Sequence, residues 1–141
     1  MRFCWATDVH FNFMDQSGVE RFCETVGGSG ASALLLGGDI AEATDLLWWL
    51  GFLDARIDLP VYFVLGNHDY YKGTIRGVRR LVENLRFKRL IWLPSAGSID
   101  LGAGVGLVGH GGWGDARYGD FDHSPVILSD YLLIEDLRDT V

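Results

Sequence analysis

Residues 60–69 read PVYFVLGNHD, and the fold is decided there. Pro60 opens the stretch, and residues 61–65 form an unbroken run of β-branched, aromatic and aliphatic side chains, the composition of a strand. The run stops at Gly66, and Asn67, His68 and Asp69 follow at once. An amide, an imidazole and a carboxylate are thus delivered to the end of one strand. The same grammar occurs twice upstream. Residues 2–7 (RFCWAT) read as a buried strand that runs into Asp8-Val9-His10, and residues 33–36 form a short apolar strand that runs into Gly37-Gly38-Asp39.

Helical patterns separate these strands. Ser17-Gly18-Val19-Glu20 has the form of a capping box, and Phe22, Cys23 and Val26 make a helical stripe after it, ended by GGSG at 27–30. Residues 43–54 have helical length and a wide apolar face. Residues 74–86 form a basic amphipathic helix, and 89–93 a fourth strand. Residues 98–101 and 105–108 read as a hairpin across Gly102-Ala103-Gly104. A Gly-rich loop spans 109–120, and 126–139 turns helical toward its end. There is no repeat, low-complexity tract or Pro-rich linker. Alternating strand and helix implies right-handed βαβ crossovers and a mostly parallel sheet. Functional loops of such sheets gather beyond the carboxyl ends of the strands, where the polar signals lie.

Composition narrows the class. The chain has 141 residues, 48% apolar and 22% charged, with five Trp and eight Phe, which suits one soluble globular domain. The net charge of −7 argues against general nucleic-acid or membrane-surface binding. Seven of the twelve basic residues (Lys72, Arg76, Arg79, Arg80, Arg86, Lys88, Arg89) are clustered. They read first as a solvated helix face, and more sharply as a local field for a phosphate-bearing substrate. Cys4 and Cys23 form no CxxC pair and read as core thiols in a reducing compartment. The amino terminus lacks a secretory h-region and no apolar run spans a bilayer, so a cytoplasmic protein is expected.

The three strand ends carry the chemistry. Side chains two apart in a strand share a side, which places Asp8 and His10 together. The glycines before Asp39 let backbone pass close to a ligand. A mixed Asp/His/Asn set suits Mn, Fe or Zn better than Ca. Each piece alone is commonplace: an Asp-x-His on a surface, a Gly-Gly-Asp turn, an Asn-His-Asp turn with local hydrogen bonds. All three after apolar strands, in order, within residues 8–69 are not.

Asp8-Val9-His10, Gly38-Asp39 and Gly66-Asn67-His68-Asp69 resemble the first three motifs of the calcineurin-like metallophosphoesterases, over residues 1 to about 115. The resemblance implies an α/β fold: the N-terminal part of a two-sheet sandwich flanked by helices, with the second sheet incomplete. It implies that Asp8 and His10 bind a first divalent ion, Asp39 bridges two, and Asn67 binds the second. It implies that His68 faces the substrate as general acid or phosphate contact, oriented by Asp69. Two cations roughly 3.5–4 Å apart lower the pKa of a bound water and give a hydroxide nucleophile for a phosphate ester. The leaving oxygen takes a proton from an imidazole beside a carboxylate. The ions expected are Mn, Fe, Zn or Mg.

The family's later lone histidine and its Gly-His-x-His motif are missing. Only His10, His68, His110 and His123 exist. His110, in Gly109-His110-Gly111-Gly112-Trp113, is similar to a substrate-side loop of some relatives, and His123 reads as a loop residue. The expectation is a single domain, 1–141, truncated at its carboxyl end, weakly active or inactive alone, with an uncovered sheet face that favours self-association. The rival readings are a non-catalytic scaffold that binds proteins and a functionless fragment. Gly104-Val105-Gly106-Leu107-Val108-Gly109 matches G-x-G-x-x-G but lies inside an apolar run, so it reads as strand and not as a dinucleotide loop. His110-Gly-Gly lacks a partner nucleophile elbow, no P-loop is present, and Trp48-Trp49 reads as core.

Overall fold

The computed structural model describes residues 1–114, 117–121, 123–138 and 140. Four parallel strands lie side by side in chain order: β1 (Phe3–Ala6), β2 (Ala33–Leu36), β3 (Val61–Phe63) and β4 (Leu90–Trp92). Helices α1 (Gln16–Gly28), α2 (Leu46–Arg56) and α3 (Ile75–Asn84) are the crossovers between them. Right-handed crossovers between strands added in one direction put every helix on the same side of the sheet. The core shows this. Leu34, Leu36, Val61, Phe63, Leu90 and Trp92 are buried in one cluster with Val19 and Cys23 of α1, Leu50 and Leu53 of α2, and Val78 and Val82 of α3.

The opposite row behaves differently. Trp5 pairs with Leu35, Leu35 with Tyr62, and Tyr62 with Ile91, so these four side chains share the second face. Trp5 is 75% exposed, and the other three are only half-buried. The α/β architecture is the one expected: a parallel sheet, a small antiparallel sheet and flanking helices. The small sheet is the hairpin β5 (Ile99–Asp100) and β6 (Gly106–Leu107). The G-x-G-x-x-G stretch therefore lies in and around a strand, as read.

Several boundaries differ from the sequence reading. The first helix starts earlier than its capping-box pattern suggests. Asp15, not Ser17, is the N-cap: its carboxylate accepts the Gly18 N–H at 2.8 Å, and Ser17 Oγ donates to that same carboxylate. A one-turn helix, α4 (Leu93–Ala96), with Pro94 in its first turn, follows β4 directly. Trp49 is core as expected, but Trp48 is half-exposed and packs edge-on against it. Both cysteines are free, and Cys23 is buried. The basic stretch reads as a solvated face: Lys72 pairs with Glu42, Arg89 pairs with Asp58, and Arg79 bonds the Tyr70 hydroxyl. No helix among the described residues is long and apolar enough to cross a membrane.

The expected helical end resolves into α5 (Asp130–Leu133) and a 3-10 turn, Glu135–Leu137. Residue 139 of that segment, and 115 and 116 of the Gly-rich loop, lie outside the described residues. This end is fastened to the loop after β3. Lys72 N–H donates to the Leu133 carbonyl, Glu135 N–H to the Gly73 carbonyl, and Ile75 N–H to the Asp136 carboxylate. Ile134, fully buried, anchors the clasp in the core.

The cap assignment is checked by two substitutions. Asp15→Ala lowers the thermal unfolding midpoint because the Gly18 N–H loses its acceptor, whereas Ser17→Ala leaves it nearly unchanged. The reverse order in a melting experiment would return the cap to Ser17.

Candidate metal centre

The loops after β1 and β2 continue the parallel pairing past the strands. Gly37 N–H donates to Ala6, Asp8 to Gly38, His10 to Asp39 and Phe11 to Ile40. To do this the backbone turns left-handed at Asp8 (φ 53°), His10 (φ 45°) and Asp39 (φ 50°). Such conformations cost about 1–3 kcal/mol each and persist where surroundings enforce them. Asp and His tolerate them better than branched residues do.

The third loop is pressed onto the second. Gly38 has φ 92°, and a Cβ there would meet the Gly66 nitrogen at 2.5 Å. A Cβ on Gly66 would overlap the Asp39 carboxylate. These glycines are needed for backbone-to-backbone approach between two loops, a reason other than the ligand approach inferred from sequence. Asp69 locks the contact. Its Oδ1 accepts the N–H groups of Ile40 and Ala41 at 2.9 and 3.0 Å, and its Oδ2 accepts that of Gly66 at 2.8 Å. The side chain has no solvent exposure. Burial pushes its carboxyl up to about 7, against the pull of the three amide hydrogen bonds and helped by the nearby Asp39 charge.

On this frame His10, Asp39 and His68 converge, with ligand atoms within 4.8 Å of one another. Asp39 Oδ1 accepts the His68 backbone N–H at 3.0 Å. The His10 and His68 rings meet edge-on at 4.6 Å, and Tyr71 stacks on His68 at 4.3 Å. The remaining candidates are arranged differently. Asp8 is exposed, bonded to the Thr7 hydroxyl at 2.6 Å, and is not in the converging trio. The strand-alternation argument for Asp8 and His10 does not apply, because β1 ends at Ala6. Asn67 donates through Nδ2 to Asp130 at 2.7 Å and to Tyr71 Oη at 3.3 Å. Asp69 contacts backbone amides, and no bond to the His68 ring occurs among the described residues. His110 is exposed and accepts the Gly112 N–H in its own loop, beside a cavity it shares with Arg79 and Tyr70. His123 pairs with Asp120 on an exposed loop.

Sequence reasoning missed Asp130 and Tyr71. Neither stands in a motif, and Asp130 meets Asn67 from 63 positions away, so only the tertiary fold reveals the contact. Burial pushes the Tyr71 hydroxyl above its ordinary range, and the Asp130 carboxylate adds to the rise.

The trio fits a divalent transition ion. Two imidazoles with a harder carboxylate suit Mn, Fe or Zn, and His10 Nδ1 is buried with no hydrogen-bond partner among the described residues. A buried nitrogen left unpaired is costly unless something binds it. Beside Asn67 opens a cleft of about 610 Å³ lined by Trp113, Tyr118, Phe121 and Tyr131.

The sequence model of the calcineurin-like phosphoesterase family matches residues 1–140. No curated protein and no solved structure gives a significant match.

Asp69→Asn tests the lock. An amide cannot accept at both ends, so the Gly66 N–H would face a donor. Urea unfolding is expected to show a loss of ~1–3 kcal/mol, and a change under about 0.5 kcal/mol would contradict it.

Proposed function

The chain belongs to the calcineurin-like phosphoesterase family, and on that premise we propose that it hydrolyses phosphate esters with two divalent ions held by Asp8, His10, Asp39 and Asn67. The observation that carries the reading is the convergence of His10, Asp39 and His68 at the carboxyl edge of the sheet, with a buried imidazole nitrogen that has no hydrogen-bond partner among the described residues. The ions, of the Mn, Fe, Zn or Mg class, supply when bound an acidic water and positive charge for the phosphoryl oxygens.

The chain's own residues do the positioning. His10 and Asp8 would hold the first ion, Asp39 would serve both, and Asn67 would offer its amide oxygen to the second. Asp39 is held in place beforehand by the His68 N–H. His68, braced by the Tyr71 ring, gives its proton to the leaving oxygen. Asp69 orients His68 through the backbone of the loop and not through its ring. The aromatic cleft beside Asn67 suits an ester whose organic group is flat or apolar. Four protein ligands would leave the shells of two ions to be completed by water, by substrate or by a second copy of the chain. The row made by exposed Trp5 and half-buried Leu35, Tyr62 and Ile91 supports self-association through that face, and the same face would serve the alternative reading, a non-catalytic scaffold.

His68 lies within ligand distance of His10 and Asp39, so a direct test of its role is required. With Mn²⁺ present, His68→Asn is expected to slow hydrolysis of an alkyl phosphate by about 10²–10⁴. It should slow that of p-nitrophenyl phosphate, whose leaving group needs no proton, by much less. Mn²⁺ affinity measured by calorimetry should hold. Equal losses on both substrates with weakened Mn²⁺ binding would make His68 a ligand and not an acid.

A further inference from the structure

Among the described residues only two charged side chains are buried, Asp69 and Asp130. The first locks two loops. The second opens α5, 63 positions away from the residue it contacts, Asn67. The clasp between α5 and the loop after β3 holds it there.

An amide side chain has two ends of nearly the same shape. One donates through nitrogen, and the other accepts or binds a cation through oxygen. A carboxylate only accepts, so Asp130 at 2.7 Å selects the nitrogen end of Asn67 and turns the oxygen to the other branch. Tyr71 Oη, 3.3 Å from the same nitrogen, could donate or accept and cannot make this choice alone. The ring that carries this hydroxyl stacks on His68. One buried carboxylate therefore holds Asn67, whose amide also meets the hydroxyl of the aromatic ring beside His68. It is not itself among the residues whose ligand atoms converge with those of His10, Asp39 and His68.

We propose that Asp130 is a positioning residue that fixes the Asn67 amide with its oxygen free to bind a divalent ion, and that α5 is clasped to the loop after β3 to deliver it. The proposal rests on the metal reading given above. Groups that orient ligands in this way change metal affinity by about 10–100-fold when removed.

The test uses the full chain and Mn²⁺ alone, titrated calorimetrically into wild type, Asp130→Ala, Asp130→Asn, Asn67→Ala and the double variant N67A/D130A. Asp130→Ala should weaken the weaker Mn²⁺ equivalent about 10–100-fold. Asp130→Asn, whose amide oxygen still accepts from Asn67, should restore most of that loss. The double variant should bind no more weakly than Asn67→Ala, because Asp130 acts through Asn67. Without added metal, the Asn67 side-chain NH₂ should be shifted and slowed in exchange by NMR in wild type and Asp130→Asn, and not in Asp130→Ala. Two results overturn the proposal alone: wild type binds Mn²⁺ and Asp130→Ala binds it equally well, or the double variant loses the full factor of both single variants. Absence of Mn²⁺ binding by wild type overturns the metal reading and this proposal with it.

Discussion

Asp69 accepts three backbone N–H groups with no exposure to solvent. The segments it joins, 40–41 and 66, lie beyond the ends of β2 and β3, where no ladder remains to pair their amides. Buried amides without partners are expensive, so the carboxyl group stands in for the missing strand. Burial makes this an uncomfortable place for a charge and raises the group to about 7, yet the three donors leave no apolar substitute. From this lock follows the close approach of Gly38 to Gly66, and from that approach the placement of Asp39 beneath the His68 amide.

The sheet determines where such a site can be. Four parallel strands in chain order send every loop that follows a strand to one edge. The same order places all three long helices on one face. The site is therefore backed by a closed core, while the row from Trp5 to Ile91 is left half-covered. His10, Asp39 and His68 converge at that edge, and His10 Nδ1 is buried there without a hydrogen-bond partner among the described residues.

Much of this was legible in the sequence. The strand–helix alternation, the three polar strand ends and the family resemblance followed from local runs of residue types, which report secondary structure directly. The parts that were not legible depend on distant pairing. Asp69 was read as a partner of its neighbour His68, but its acceptors serve amides up to 29 positions away. Asp130 gave no local signal, since an Asp at the start of a helix is ordinary. Asp8 and His10 were joined by strand periodicity, but the strand ends before either, and left-handed turns decide their directions instead. Ser17 lost the cap to Asp15 because a carboxylate at the true first turn reached the Gly18 N–H.

The central claim is that the edge built around Asp39 is a metal-dependent phosphoesterase centre. The most direct test is Mn²⁺-dependent hydrolysis of p-nitrophenyl phosphate and its bis-ester by the chain, with Asp39→Asn and a chelator as controls. The account predicts that Mn²⁺ binds at this edge and that any turnover needs Mn²⁺ and is lost in Asp39→Asn. Turnover that survives the substitution or the chelator, or a chain that neither binds Mn²⁺ nor hydrolyses either ester, would contradict it.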